Sequence, residues 1–399
     1  MTSLIRPAQM ADTAHDEQFL RHALDLARQG MGLASPNPYV GAVIVDAQGN
    51  IAGKGVYTYE GMKHAEVLAL EGAGNNARGG TLYINLEPHS HHGRTLPCTD
   101  ALIAAGIHRV VASMPDPNPK VSGRGFERLR AAGIHVEIGR LEAEARRLNE
   151  AFARYIRRGV PLVTLKAAMT LDGKIAPPPT AELNHEAGTP RGGWITGEAA
   201  RAHVLEQRHE NDAVLVGIGT ILSDDPLLTD RSGRPRRRPL LRVVLDSQLR
   251  LPLESRLVQS VANAGTGEKD VLVFSSKGEE KKKKELEARG IRIEELPPTP
   301  SNRRPDIYAV LRRLGELEIT SVMIEGGATV NGTALASRVV DKVFLYYAPK
   351  ILALNGAIPF ASGTGVREIS DAPQLKHLHL HRFGEDFAVE GYLRNPYDD

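Results

Sequence analysis

Hydrophobic positions in the first half of the chain recur with the two periods that distinguish helices from strands. Residues 17–29 carry apolar side chains at helical spacing, and Gly30 and Gly32 follow, which predicts a helix that ends there. Short apolar runs typical of buried strands occupy residues 40–45, 81–86 and 108–113. Helical patterns lie between them at residues 64–71 and 99–105. This alternation predicts an α/β fold.

A change of pattern near residue 160 divides the chain. The charged amphipathic segment 142–158 ends at Gly159, and a new strand pattern begins at residues 162–165. We therefore expect one domain over residues 14–159 and a second over residues 160–399. Further strand patterns occupy residues 213–216, 241–245, 271–274, 321–324 and 342–347. The second domain is thus also predicted to be α/β, and no repeat of fixed period links the two, which favours a fusion of two different chemistries.

The composition is that of an ordinary soluble globular protein. Of 399 residues, 41% are hydrophobic and 25% are charged, which excludes collagen-like, coiled-coil and wholly disordered chains. The 50 Lys and Arg residues nearly balance the 48 Asp and Glu residues, so no overall field attracts nucleic acid or an anionic membrane. No apolar run approaches the roughly 18 to 20 residues that span a bilayer. We expect small-molecule ligands, with no nucleic-acid and no membrane partner.

Cysteine usage indicates the compartment. Cys98 is the single cysteine, so no disulfide can form within the chain. The first residues lack the charged, then apolar, then small-residue order of a secretory signal. Both observations favour the reducing cytoplasm.

Three segments allow more than one interpretation. Residues 281–284 are four lysines between glutamates, a pattern typical of a solvated helix face. Residues 234–239 combine arginines with prolines, which is typical of a solvated loop, with a phosphate or nucleic-acid patch as the alternative. Residues 177–193 begin with three prolines and predict a long loop, which either covers an active site or is locally disordered.

A set of polar residues in the first half has the order found in zinc deaminases. His64 and Glu66 open a predicted helix, and Cys98 follows on a later segment. In the zinc deaminase pattern a His and two later Cys hold the metal, and the Glu is not a ligand. Zinc held by three protein groups keeps one position for water, whose pKa it lowers to about 7, while a nearby carboxylate carries the proton to the departing amine. Glu66 is the predicted proton shuttle.

A longer match makes the resemblance specific. Residues 35–45, the His-Ala-Glu block, residues 93–98 and residues 116–125 stand in the order of the deaminase half of the bifunctional riboflavin biosynthesis enzymes, which they resemble. The resemblance implies a three-layer, cytidine-deaminase-like domain that hydrolyses an amino group of a diaminopyrimidine ribose phosphate. It also implies that Asn37 and Arg94 contact the substrate.

One position departs from that family. The family has Cys after the Glu-Pro pair, whereas this chain has His89, which leaves His64, His89 and Cys98 as the expected zinc ligands. Imidazole is a competent zinc ligand, but a neutral ring in place of a thiolate leaves the centre about one charge unit more positive. The attacking water should then be more acidic and less nucleophilic. The alternatives are that His91 or His92 acts as the ligand, or that the site has lost its activity.

Five motifs in the second half stand in the order of a reductase. They occupy residues 166–176, 194–201, 213–220, 223–231 and 324–328. The Gly pair in the last motif precedes a predicted helix, where backbone N–H groups can approach a phosphate. The set resembles the reductase half of the same bifunctional enzymes, whose fold is similar to that of dihydrofolate reductase, and the resemblance spans residues 16–391. It implies that NADPH reduces a ribosylamino group to a ribitylamino group.

The resemblance also assigns site residues by position. The positions that match cofactor contacts are Ala168, Trp194, Thr196, Thr220, Asp224, Ser247, Gly326 and Gly327. The positions that match substrate contacts are Lys166, Gly192, Arg208, Leu228, Arg231 and Glu325. Gly192 replaces a serine of the family, so one hydroxyl contact is missing. Lys166 and Glu325 are the candidates for a proton donor.

The motifs lead to three hypotheses about function. The leading hypothesis is a bifunctional enzyme with Zn²⁺ and NADPH, which deaminates 2,5-diamino-6-ribosylamino-pyrimidinone 5′-phosphate and then reduces it to the ribitylamino-uracil phosphate. The alternative, motivated by His89, is a reductase whose first domain is a silent structural or oligomerisation module. A nucleic-acid-editing deaminase would need a basic, aromatic-lined groove and would leave the second domain unexplained. We also expect a homo-oligomer.

Overall fold

The computed structural model describes residues 7–90, 97–179, 190, 192–263, 269–299 and 304–398. These residues form two compact units. The first unit comprises the chain up to Arg158 together with Pro235–Arg237, and the second comprises Gly159–Arg234 and Arg238–Asp398. Among the helices of this described part, none is long and apolar enough to cross a membrane.

The first unit is a mixed sheet with helices. Its helices are α1 (Pro7–Arg28), α2 (Ala65–Ala73), α3 (Cys98–Ala105), α4 (Arg124–Ala131), α5 (Glu142–Leu148) and α6 (Glu150–Arg158). Its strands are β1 (Gly41–Val45), β2 (Ile51–Val56), β3 (Thr81–Ile84), β4 (Arg109–Ala112) and β5 (His135–Ile138). In the described residues these strands form one five-stranded sheet in the order β2-β1-β3-β4-β5. The pairs β1–β2 and β1–β3 are antiparallel, and β3–β4 and β4–β5 are parallel.

Alternating side chains of the strands bury both faces of this sheet. Ile44 and Leu82 belong to a core cluster with residues of α2, α3 and α4, whereas Val43 and Tyr83 pack with Leu20 of α1. Because successive residues of a strand point to opposite faces, one sheet separates two helical layers. The first unit therefore has the three layers that the family resemblance implies.

Two features of the first unit were not predicted from the sequence. The amphipathic segment 142–158 forms two helices, because Asn149 between them turns inward and binds the backbone of Tyr39 twice: its Oδ1 accepts from the N–H at 2.8 Å and its Nδ2 donates to the carbonyl at 3.1 Å. Strand β2 contains two glycines and a lysine, which removes the apolar alternation that identifies strands.

The second unit is built on a larger sheet. Its helices are α7 (Glu198–Glu210), α8 (Ile218–Asp224), α9 (Arg256–Asn263), α10 (Glu280–Glu287), α11 (Ile307–Glu316) and α12 (Ala328–Ala336). Its strands are β6 (Leu162–Thr170), β7 (Lys174–Ala176), β8 (Ala213–Gly217), β9 (Leu241–Leu245), β10 (Val271–Ser275), β11 (Arg292–Glu295), β12 (Ser321–Gly326), β13 (Lys342–Ala348), β14 (Ile358–Pro359), β15 (Lys376–Phe383) and β16 (Asp386–Tyr392).

The order of this sheet, for the strands that are described, is β11-β10-β9-β8-β12-β6-β13-β16-β15, with β7 and β14 as a separate pair. The strands from β11 to β13 run parallel, whereas β16 is antiparallel to β13, and β15 is antiparallel to β16. Leu215 and Ile324 pack with Leu311 of α11 on one face, and Val216 packs with Val258 of α9 on the other. The predicted α/β class is confirmed in both units.

The structure describes the three segments with more than one interpretation to different extents. Residues 281–284 lie in helix α10, as predicted for a solvated helical face. In the basic run 234–239, Arg238 binds the carboxylate of Asp212 and the carbonyl of Glu318, which favours the loop interpretation. In the loop 177–193, residues 180–189 and 191 lie outside the described residues.

Candidate functional site

The first site lies where two helices of the first unit begin. His64 is the N-cap residue of α2, and Cys98 is the first residue of α3. The two helix starts bring His64 Nδ1 to 2.8 Å from Cys98 Sγ. A metal ion bound at this cluster would take Cys98 as the thiolate.

A buried carboxylate completes the cluster. Glu66 lies in the first turn of α2 with 2% of its surface exposed, and the donor atoms of His64, Glu66 and Cys98 all lie within 4.8 Å of one another. Burial raises the pKa of the Glu66 carboxyl and also raises the pKa of the Cys98 thiol. An imidazole nitrogen, a sulfur and a carboxylate in a buried cluster are donors that suit Zn²⁺.

His89 lies beside this cluster. Its ring centroid is 5.2 Å from that of His64, with the two planes at 75°, and its carbonyl accepts from the N–H of Thr99 at 3.2 Å. The fold therefore brings His64, His89 and Cys98 together, although the close group of donor atoms contains Glu66 and not His89. The ligand role of His89 stays a prediction. His91, His92 and Arg94 lie outside the described residues.

Asn37 joins this neighbourhood through a tyrosine that was not predicted. Asn37 Nδ2 donates to the hydroxyl of Tyr57 at 2.6 Å, and the Tyr57 ring packs edge-on against His64 with centroids 5.7 Å apart. A substrate-contacting role for Asn37 is consistent with this position. Tyr57 follows strand β2, and because that strand lacks an apolar alternation, no local pattern identified the tyrosine.

Glu87 is a second residue that the sequence analysis missed. Its carboxylate accepts three backbone hydrogen bonds, from Asp116 at 3.0 Å, Gly123 at 2.8 Å and Gly125 at 2.7 Å. Glu87 comes two residues before His89, so it joins the segment 116–125 to the turn that carries this histidine. The available signal was a glutamate directly after a buried strand, where a buried carboxylate needs several donors.

Two glycines of β2 place helix α2, and with it His64 and Glu66. A Cβ added at Gly55 would lie 1.9 Å from the carbonyl oxygen of Ala65, and one at Gly53 would lie 2.0 Å from that of Ala69. These contacts are with backbone, so the helix would have to move to accommodate a side chain. Glycine in β2 thus sets the close approach of α2 to the sheet.

We expect Gly55→Ala to lower the free energy of unfolding of the first unit by roughly 2–3 kcal/mol, as overpacking does in other cores. Because the displaced turn of α2 carries His64 and Glu66, the amount of bound metal and the rate of ammonia release should also fall. Thermal melting by circular dichroism and metal analysis check this. The matched control is Gly72→Ala within α2, where the nearest atom would be 3.4 Å away and alanine favours the helix. Equal melting of both variants would contradict this account.

The second site is a cavity of about 980 Å³ in the second unit. Every predicted cofactor contact lines it, namely Ala168, Trp194, Thr196, Thr220, Asp224, Ser247, Gly326 and Gly327. The predicted substrate contacts that line it are Lys166, Arg208, Leu228, Arg231 and Glu325. Gly192 is described but is not among the lining residues. Positions scattered over 160 residues of sequence therefore converge on one cavity.

An acidic and a basic group pair tightly on the cavity wall. The carboxylate of Glu325 accepts from Arg208 Nε at 2.5 Å and Nη2 at 2.9 Å, and Lys166 Nζ lies 3.8 Å from it. Burial would raise the pKa of Glu325, but the two cations outweigh it and hold this pKa at about 2. Burial lowers the pKa of Lys166. The cavity thus contains a fixed anion beside a lysine that gives up its proton more readily than usual.

Two glycines of the cavity lie at the start of α12. Gly326 and Gly327 have φ of 105° and 80°, values that side chains rarely adopt, and α12 begins at Ala328. A Cβ at Gly327 would lie 3.4 Å from Thr220 Oγ1. Backbone N–H groups at a helix start bind phosphate oxygens, so this corner suits the pyrophosphate of a dinucleotide.

Two different protein families match separate parts of the chain. Residues 13–114 match the family described as the cytidine and deoxycytidylate deaminase zinc-binding region. Residues 161–389 match the family described as the RibD C-terminal domain. The first match covers the cluster around His64, and the second covers the residues that line the cavity.

Full-length relatives and solved structures resemble the chain throughout. It is 38% identical over 390 residues to the riboflavin biosynthesis protein RibD of Actinobacillus pleuropneumoniae, covering 98% of both chains. It is also 38% identical to RibD of Escherichia coli, covering 94% of this chain and 98% of the relative. The structure of Acinetobacter baumannii RibD aligns with a TM-score of 0.78 at 33% identity, over 96% of this chain and 99% of the other. The Thermotoga maritima diaminohydroxyphosphoribosylaminopyrimidine deaminase/5-amino-6-(5-phosphoribosylamino)uracil reductase aligns with a TM-score of 0.78 at 35% identity, over 96% and 99%.

Proposed function

This chain belongs to the RibD family of riboflavin biosynthesis proteins, and we propose that its two units catalyse a hydrolytic deamination and a reduction of one pyrimidine ribose phosphate. The main supporting observation is that one chain holds both a cluster of His64 with the buried Glu66 and Cys98 and a cavity lined by every predicted cofactor contact. The substrate is 2,5-diamino-6-(5-phosphoribosylamino)pyrimidin-4-one, and the product of both steps is 5-amino-6-(5-phosphoribitylamino)uracil.

The deamination rests on the cluster of the first unit. His64, His89 and Cys98 would hold Zn²⁺, which when bound lowers the pKa of the attacking water to about 7. Glu66, buried next to them, accepts a proton from that water on its carboxylate and delivers it to the departing amino group. Asn37 and Arg94 hold the pyrimidine and its phosphate-bearing side chain. The neutral His89 in place of a thiolate favours an acidic, less nucleophilic water.

The reduction uses the cavity of the second unit. Gly326 and Gly327 would hold the pyrophosphate of NADPH, which when bound would supply the hydride. Lys166 faces the buried carboxylate of Glu325, and its lowered pKa suits it to donate a proton to the ribosyl group as the hydride arrives. Arg231 is the cation best suited to the substrate phosphate, because Arg208 is already paired with Glu325.

The alternative, a reductase with a silent first domain, is not favoured. Residues 13–114 match a zinc-binding deaminase family, and the full-length relatives carry both halves. The cluster also keeps the buried Glu66 carboxylate next to His64 and Cys98, an arrangement that deamination uses and a purely structural domain would not need. The substitution by His89 therefore changes one ligand within a retained site.

Two properties of the protein in the cell are part of the proposal. The single Cys98 suits a reducing cytoplasm, and we place the protein there. We also propose a homo-oligomer, as expected from the sequence, which light scattering of the purified chain would measure.

Product analysis by mass spectrometry tests the proposed function. The purified chain is supplied with the diaminopyrimidine ribose phosphate, first without NADPH and then with it. We expect the deaminated ribosyl compound in the first reaction and the ribityl compound in the second. Reduction of supplied deaminated substrate without any deamination would support the reductase-only alternative, and no product in either reaction would reject both.

A further inference from the structure

A short turn directly before helix α7 forms part of the wall of the cavity in the second unit. This Trp194 turn, residues 194–197, contributes Trp194, Ile195 and Thr196 to the cavity lining. The indole of Trp194 is 49% exposed. A half-exposed ring at a cavity wall is not fixed by burial, so its position depends on what holds the backbone of the turn.

A distant lysine holds the first half of this backbone. Lys350 Nζ donates to the carbonyl oxygen of Trp194 at 3.1 Å and to that of Ile195 at 2.7 Å. Hydrogen bonds from a charged donor are stronger than neutral ones, and two convergent acceptors define the position of the ammonium group. Lys350 is not among the described residues that line the cavity. It therefore holds the turn from outside the cavity.

Two further charged groups hold the second half. Arg201 Nη1 donates to the carbonyl oxygen of Thr196 at 2.7 Å, and its guanidinium carbon lies 4.8 Å from the centroid of the Trp194 ring. Asp386 Oδ2 accepts from the N–H of Gly197 at 2.6 Å. Three successive carbonyl groups of the turn thus accept from cations, and the next N–H donates to a carboxylate.

The segment that carries Lys350 is itself anchored next to the cavity strand β6. Asp172, two residues after β6, accepts from the N–H of Leu352 at 3.1 Å and from that of Ala353 at 2.9 Å. The N–H of Leu171 donates to the carbonyl of Lys350 at 2.8 Å. A chain of hydrogen bonds therefore links the end of β6, which also carries Lys166 and Ala168, to the Trp194 turn.

We propose that Lys350 is a positioning residue that clamps the Trp194 turn in the conformation that binds NADPH. The proposal rests on the proposed reductase function. Without the ammonium group two adjacent carbonyls lose their shared donor, and the indole samples positions in which it no longer forms the same part of the cavity wall. Affinity for NADPH then falls, because the turn must be ordered when the cofactor binds.

The chain itself offers the probe, since Trp194 is its single tryptophan. Tryptophan emission overlaps the absorption of NADPH, so energy transfer from Trp194 to bound cofactor measures both affinity and the position of the indole. We compare the full-length wild type with Lys350→Met, with Lys350→Arg, which can still donate to two carbonyls, and with Lys281→Met, which removes an exposed lysine of α10. Acrylamide quenching without cofactor measures the accessibility of the same ring.

We expect Lys350→Met to weaken NADPH binding about fivefold, as for the loss of exposed charge-assisted hydrogen bonds. Its energy transfer at saturation should fall and its acrylamide quenching should rise, while Lys350→Arg recovers most of both and Lys281→Met matches the wild type. Wild-type affinity, transfer and quenching in Lys350→Met would overturn the proposal. A wild type that does not bind NADPH would instead reject the reductase function, and the quenching measurement would still test the clamp.

Discussion

Replacement of Glu66 by glutamine should lower kcat for ammonia release by about three to four orders of magnitude. The carboxylate is buried in the first turn of α2, within 4.8 Å of the donor atoms of His64 and Cys98, where it can reach an attacking water. Glutamine has nearly the same size and keeps hydrogen-bonding atoms, but it cannot accept and return a proton. The variant therefore removes the proton transfer and leaves the packing of the helix in place.

Two measurements on the same Glu66→Gln protein separate this role from others. NADPH oxidation with the deaminated substrate should equal that of the wild type, because the cavity of the second unit contains no part of this cluster. Zinc content should also be unchanged. Loss of zinc would place Glu66 among the zinc ligands, in line with its position in the close group of donor atoms. Ammonia release within tenfold of the wild-type rate would refute the proton-shuttle role.

The second large effect is expected for Glu325→Gln. The substitution removes the carboxylate that faces the buried Arg208 and Lys166, and breaking a buried ion pair in this way costs about 3–5 kcal/mol. At pH 7 the free energy of unfolding of the second unit, measured through the fluorescence of Trp194, should therefore fall by about 3–5 kcal/mol. The reduction should slow by about a hundredfold or more, because Lys166 loses the carboxylate that faces it. Glu287→Gln, an exposed change on α10, is the matched control.

The stability effect of Glu325→Gln should depend on pH in a defined direction. The pKa of Glu325 is about 2 in the folded chain and about 4.3 in an unfolded one, so ionised Glu325 stabilises the fold above pH 4.3. This contribution is lost as the pH falls towards 2. The difference in melting temperature between wild type and variant should therefore be constant from pH 7 to about pH 5 and shrink below it. A difference that grows in acid would contradict the ion-pair assignment.

The sequence predicted most of what is local in both sites. His64 and Glu66 are separated by one residue at a helix start, and Gly326 and Gly327 adjoin another, so short motifs suffice to identify them. The buried strands β1, β3 and β8 were predicted because their apolar runs are continuous. Strand β15 was missed because it is an exposed edge strand whose apolar residues face solvent.

What the sequence could not predict depends on contacts between distant residues. Lys350 meets Trp194 across 156 positions, and Asn149 meets Tyr39 across 110. No local pattern encodes such partners, since a lysine or an asparagine alone is typical of a solvent-exposed surface. The same holds for Glu87, whose three backbone donors come from a segment some 30 residues further along.

The bifunctional assignment requires that the site of the first unit, with His89 in place of the family's cysteine, is an active zinc site. The direct measurement is the zinc content of the purified full-length chain by plasma mass spectrometry, with ammonia release from the diaminopyrimidine substrate measured on the same sample. We predict about one zinc per chain together with turnover. A chain without zinc and without ammonia release, but with intact NADPH oxidation on deaminated substrate, would contradict the bifunctional assignment and leave a reductase with a silent first domain.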